Sequence, residues 1–169
     1  MATTTNRGHI ARALDFFDRT DVYFGLGQTT TPWPDELNPP KPDVSTSSLA
    51  EPLGYKKVES KYMVVQDPNG TIVYRDSKWK IVPRDQAVAL GSKWVYLESF
   101  IRYDELPLQS YRSIAVVSRL VPNDDIPSNQ ATLIPSQVKD PGIVEVIDYR
   151  RVVNRQIDQK EQLSLILEF

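Results

Sequence analysis

The stretch Gly142–Phe169, GIVEVIDYRRVVNRQIDQKEQLSLILEF, closes the chain and decides how the rest of it is read. Ile143, Val144, Val146 and Ile147 form one β-rich run. Further on, Leu163, Leu165, Leu167 and Phe169 alternate with Ser164, Ile166 and Glu168. A period of two puts the leucines and Phe169 on one face of a strand. Chain ends are loose unless something ties them down, so this pattern predicts a last strand held in a sheet.

The same short-strand signature recurs upstream. Thr20–Gly27 (TDVYFGLG) places Val22, Phe24 and Leu26 on one face and ends on glycine. Lys61–Gln66 and Thr71–Arg75 flank Asp67-Pro68-Asn69-Gly70, a turn sequence that predicts a β-hairpin. Trp79–Val82 and Arg112–Val121 read as further strands. Between them, Lys93–Tyr103 alternates Val95, Leu97, Ile101 and Tyr103 with Trp94, Tyr96, Glu98, Phe100 and Arg102. One face of that strand is apolar and the other amphipathic, the second being a candidate interface. Asp85–Leu90 reads as a helical turn and Pro122–Gly142 as a polar loop. About seven or eight short strands at hairpin-like spacing predict a sandwich or barrel. There is no internal repeat and no heptad pattern.

Ile10, Ala13, Leu14 and Phe17 fall at helical spacing behind Thr5 or Asn6 as a cap, which predicts one short amphipathic helix over residues 7–18. Residues 28–54 change character. Pro32, Pro34, Pro39, Pro40, Pro42 and Pro52 withhold the backbone donors that a ladder needs, so this stretch reads as a long, stiff loop.

Composition narrows the function. A chain of 169 residues fits one domain, or one domain with an extension, and is read as a single domain, 1–169, with room for a real core. Its net charge of −2, with no local Lys/Arg block, lacks the electrostatic footprint of a nucleic-acid binder. With no cysteine, disulfides, thiolate metal sites and cysteine nucleophiles are excluded. The N-terminus MATTTNRGHI has no apolar signal core, and no run approaches the roughly 18 apolar residues of a spanning helix. No membrane contact is therefore expected.

No motif for chemistry stands out. His9 is the only histidine, with no second one to form a metal site, and reads as a surface residue. The pairs Asp104-Glu105 and Asp124-Asp125 lack calcium-loop spacing and read as loop solvation. There is no phosphate loop, nucleophile elbow or H-E-x-x-H. Neither a catalytic residue, a metal nor a cofactor is expected, and the chain reads as a non-enzyme. Trp33 sits among prolines. It is read either as a partner anchor on a stiff loop or as a plug folded back on its own domain. Arg150-Arg151 suits a subunit contact or a charged strand edge equally. The tryptophans Trp33, Trp79 and Trp94 are also candidates to stack on sugar rings.

Both ends of the chain resemble the T-even-type phage baseplate wedge subunit that forms a homodimer with β-sandwich domains. At the C-terminal end, Gly142 opens a strand, Arg150 and Arg151 follow as a polar bend, and Asp158-Gln159-Lys160-Glu161 leads into Leu163–Phe169. At the N-terminal end, a helix precedes Asp21–Gly27, then Pro32-Trp33, Asn38-Pro39-Pro40 and Pro42-Asp43. The middle, from Lys78-Trp79-Lys80 to Gly91, with Trp94–Tyr96 and Asp104–Pro107, is similar to compact members of the same group. The T-even protein is longer and carries an inserted β-domain between these ends; here little more than the core remains.

The resemblance implies a mainly β, immunoglobulin-like antiparallel β-sandwich with a short N-terminal helix and a long Pro-rich loop. It implies a structural component of a contractile phage tail, a baseplate wedge subunit assembled in the host cytoplasm and carried in the virion. The partners implied are other wedge and tail proteins and a second copy of the chain. The interface residues expected are Trp33, Pro34, Pro39, Pro40, Trp94, Tyr96, Phe100, Arg150 and Arg151. The alternative is a carbohydrate- or receptor-binding β-sandwich at the tail tip.

Overall fold

Thr5 starts the fold: its hydroxyl accepts a hydrogen bond from the Gly8 amide, capping helix α1 (Asn6–Phe17). Ile10, Ala13 and Phe16 form the buried face of α1. The computed structural model describes residues 1–169, which divide into two compact units. The first comprises Met1–Thr20, Glu59–Glu98 and Leu163–Phe169, the second Asp21–Val58 and Ser99–Gln162.

Twelve strands follow α1: β1 (Tyr23–Gly27), β2 (Gly54–Lys57), β3 (Ser60–Gln66), β4 (Ile72–Tyr74), β5 (Ser77–Val82), β6 (Trp94–Ile101), β7 (Tyr111–Ser118), β8 (Val121–Pro122), β9 (Thr132–Leu133), β10 (Val138–Asp140), β11 (Ile143–Val153) and β12 (Glu161–Glu168). They form two five-stranded sheets, ordered β12-β6-β3-β5-β4 and β11-β7-β1-β2-β9, plus the pair β10-β8. The division between units falls within β6 and β12. The mainly β, antiparallel class with one short N-terminal helix, expected from the sequence, is the class the structure has.

In the first unit the C-terminal strand is tied in as its alternation predicts. β12 pairs with β6, Leu163, Leu165 and Leu167 are buried, and the Phe169 amide donates to the Lys93 carbonyl. Phe169 lies on the leucine side of β12 and meets Phe16 of α1 at 5.1 Å between ring centroids. Lys61 of β3 donates to the Arg19 carbonyl just beyond α1, so α1 covers the face that carries Lys61 and, by register, Leu97.

The expected hairpin between Lys61–Gln66 and Thr71–Arg75 is not formed. β3 pairs with β5 and β6, while β4 pairs only with β5. Two turns explain the exchange. Arg75 and Asp76 both have positive φ, 45° and 61°, the requirement of the tight turn that suits strand twist, and they join β4 to β5. Asp67–Gly70 also turns, with the Gly70 amide donating to the Asp67 carbonyl. It carries the chain across β5 so closely that a Cβ on Gly70 would lie 2.3 Å from the Trp79 backbone.

In the second unit, Phe24 and Leu26 of β1, Tyr55 of β2, Ile114–Val117 of β7 and Leu133 of β9 are buried. β11 is longer than the run Ile143–Ile147 suggested, and Arg150 and Arg151 lie inside it rather than in a bend after it. The bend signal survives as irregularity: the β11–β7 register shifts between Val144 and Val146 and again between Tyr149 and Val153. β9 and β10 lie within the stretch read as one loop and β8 straddles its start, because strands of two or three residues leave no periodic trace.

Two buried cations fix the β6–β7 connection. Lys56, 1% exposed, places Nζ 2.9 and 3.0 Å from the Glu105 carboxylate oxygens. Arg155 donates to the carbonyls of Arg102, Glu105, Leu106 and Pro107 and to Glu161. Removing one partner of a buried pair strands the other, at a cost of about 3–5 kcal/mol. Glu105→Ala should lower the unfolding free energy by about this amount, read as a shift in urea midpoint at unchanged slope.

Candidate interaction surfaces

Residues 28–53 contain neither helix nor strand, and side chains hold them in place of a ladder. Asp35 accepts from the Leu37 amide and from Asn38 Nδ2, and Asp43 accepts from the Ser45 amide and hydroxyl. Glu51, itself at φ 44°, accepts from the amides and hydroxyls of Thr30 and Thr31. Arg112 of β7 reaches Glu36 Oε1 at 2.8 Å.

The segment is pinned to β11 by a reciprocal pair of contacts. Trp33 Nε1 donates to the Arg150 carbonyl at 2.8 Å, and Arg151 Nε donates to the Leu37 carbonyl at 2.8 Å. The Trp33 ring rests on Tyr149 with centroids 4.7 Å apart. Trp33 is thus half-buried, with its N–H and one ring face used inside the second unit. Pro34 and Pro40 are exposed and Pro39 is half-buried. The Arg150 guanidinium turns to Asp148 at 3.1 Å.

A second surface lies on the first unit's sheet. Register places Trp94 opposite Val64, Tyr96 opposite Tyr62, and Ile81 opposite Val64 on its other side, so these residues share one face. Tyr62 and Ile81 are 37% and 41% exposed, whereas Tyr96 is buried. The rings of Tyr62 and Tyr96 stack at 6.4 Å, and Trp79 meets Trp94 edge-on at 5.7 Å. Tyr96 donates to Glu98; burial, then that bond, pushes its phenol up to about 12. Phe100, half-buried in the second unit, has Lys160 Nζ 4.2 Å from its ring centroid.

Tyr62 and Ile81 escaped the reading of single strands. Only the antiparallel register, which sets Tyr62 beside Tyr96, reveals them as part of an aromatic face.

His9 is half-buried on α1, with Nδ1 buried and unpartnered, and no three potential metal ligands come together. Glu105 pairs with Lys56 and Asp124 with Lys139. Each shifted carboxylate, Asp18, Asp35, Asp43, Glu51, Glu105 and Glu168, moves downward.

The chain is thus mainly β, with side chains that hold its loops and aromatic rings gathered on one sheet face. Sequence comparison places it in a family: residues 1–169 match the baseplate wedge 3 tail fiber network component family, and the chain belongs to it. It is similar to Virion protein 3 of Enterococcus phage phiEF24C, with 32% identity over 177 residues that cover 99% of this chain and 96% of that protein. The chain is accordingly a structural component of a phage virion, of a baseplate family that associates with other tail proteins.

The Glu51 clamp has a pH signature. The Thr30 and Thr31 hydroxyls and the Thr31 amide hold the Glu51 carboxyl down to about 2 from an ordinary 4.5. A depressed folded value contributes stability above the unfolded value and loses it as pH falls toward the folded one. Glu51→Gln should therefore be less stable than wild type at pH 7, with the gap closing between about pH 4.5 and 2. Urea titrations of both proteins across that range check it.

Proposed function

We propose that this chain is a wedge subunit of a contractile-tail baseplate, a node of the tail fiber network that binds neighbouring wedge and tail proteins and a second copy of itself. The observation that carries the reading is the aromatic face of the first unit's sheet, where Tyr62 and Ile81 remain partly exposed beside buried Tyr96 and Val64. Aromatic residues flanked by ion-paired side chains are the usual make-up of a protein contact. Lys93 and Glu168, paired with each other, stand at the margin of this face, with Lys93 Nζ 5.0 Å from the Trp94 ring.

The role is mechanical. A baseplate holds one arrangement until the host is met and then adopts another, which requires contacts that persist yet exchange. Moderate apolar patches on stiff elements meet that requirement. Each contributes roughly 25 cal/mol per Å² removed from water, and little entropy is lost on docking because the surfaces are already ordered.

The aromatic geometry favours this over sugar binding. Trp79 and Trp94 pack edge-on against each other and Trp33 rests on Tyr149, so their rings serve contacts within the chain.

Light scattering of the chain alone, and mixed with the tail proteins encoded beside it, tests the proposal. A dimer or a stable hetero-complex is expected, and the double variant Tyr62→Glu, Ile81→Glu should weaken association about tenfold or more; the stability lost with the Tyr62–Tyr96 ring contact, on the order of 0.5–1.5 kcal/mol, is read separately from the urea midpoint. A monomer that ignores those proteins and is retained on host cell-wall glycans would support the receptor-binding alternative instead.

A further inference from the structure

β11 is the outer strand of its sheet, bonded to β7 on one side only. Its free edge is treated in two ways. Along the second half, the Pro-rich segment covers it through the Trp33–Arg150 and Arg151–Leu37 bonds. Along the first half the same segment stands off, leaving an open groove of about 400 Å³ between Pro42–Thr46 and Val144–Ile147.

The shape of this groove identifies what lines it. Successive strand residues point to opposite faces, so a cavity that touches four in a row meets the strand at its edge. No backbone hydrogen bond joins Pro42–Thr46 to Ile143–Ile147; the Thr46 amide is instead bonded to the Asp43 carbonyl. An unsealed strand edge is a template for another strand. The register shift at Glu145 limits how far regular pairing can run, so the segment it accepts is short.

The chemistry is equally specific. The groove wall carries Val44, fully exposed, together with Val144, Val146 and Ile147, and its charged groups are Asp43 and Glu145 with no lysine or arginine among them. Beside it lies a smaller cavity of about 170 Å³, which shares Val144 and is backed by Leu49 and Tyr55. That cavity has the apolar lining to take a single side chain.

We infer that this groove accepts a short extended segment of a neighbouring tail protein, in which apolar residues alternate with lysine or arginine, added as a strand to the free edge of β11. The apolar residues enter along Val44, Val144 and Ile147, the last two set on one face by the register shift, one of them filling the side cavity, and the cations face Asp43 and Glu145. The inference rests on reading the chain as a contact-making baseplate component.

Two end-blocked six-residue peptides test it, one alternating Val with Lys and one alternating Val with Glu, with amide hydrogen exchange of the whole chain followed by NMR. The Val-Lys peptide should slow exchange within Ile143–Ile147 and bind about tenfold more tightly than the Val-Glu peptide. In the variant Asp43→Asn, Glu145→Gln that preference should disappear, while the acceptors for Ser45 and Ser118 are kept. Unchanged exchange at these amides, or equal binding of the two peptides, would overturn the inference. Exchange measured with the neighbouring tail proteins separates the two readings. Complex formation without protection at Ile143–Ile147 overturns the groove alone, whereas no complex at all overturns the baseplate-contact reading on which it rests.

Discussion

The bond from Trp33 Nε1 to the Arg150 carbonyl, with its return contact from Arg151 to the Leu37 carbonyl, is the constraint on which the second unit's surface depends. A segment so rich in proline cannot satisfy its backbone through a ladder, and a long stretch without regular structure costs entropy to order. Here side chains supply what the ladder does not. Asp35 and Asp43 close local turns, Glu51 clasps Thr30 and Thr31 across the segment, and Arg112 and Trp33 tie it to β7 and β11. The result is an ordered surface of proline and threonine, with half of a sheet edge sealed and half left open.

Electrostatics complete the same unit from within. Lys56–Glu105 and the Arg155 guanidinium immobilise the β6–β7 connection, which includes Leu106 at a positive φ of 62°. Such an arrangement is expensive to desolvate, and its return lies in geometry: four carbonyls converge on one planar cation, so few alternative loop conformations remain. The same contacts hold the positive-φ turn at Leu106 in one conformation.

Much of this was legible in the sequence. α1 and β12 were readable because their periodicity is long and clean. The patterns at the two chain ends pointed to a phage baseplate family, to which the chain belongs. What stayed hidden has physical causes. Asp67–Gly70 is a genuine turn sequence, but turn chemistry does not say which strand comes next into register, and Arg75-Asp76 carries no glycine to advertise the hairpin it forms. β8 to β10 are too short to show periodicity. Arg150 and Arg151 read as a bend because charge interrupts the apolar run, whereas in the structure they lie within β11 and serve, through one carbonyl and one guanidinium, to hold the Pro-rich segment. Long-range bonds of that kind, 117 and 114 residues apart in the chain, leave no local signal.

The most direct measurement is the hydrogen-exchange rate of the Trp33 indole N–H in the free protein, resolved by NMR. If the segment is fixed on β11 as described, this proton exchanges markedly more slowly than the indole of the unfolded chain. Exchange at the unfolded rate would mean that the Pro-rich segment is a free arm, and would contradict the account of both the sealed and the open halves of the β11 edge.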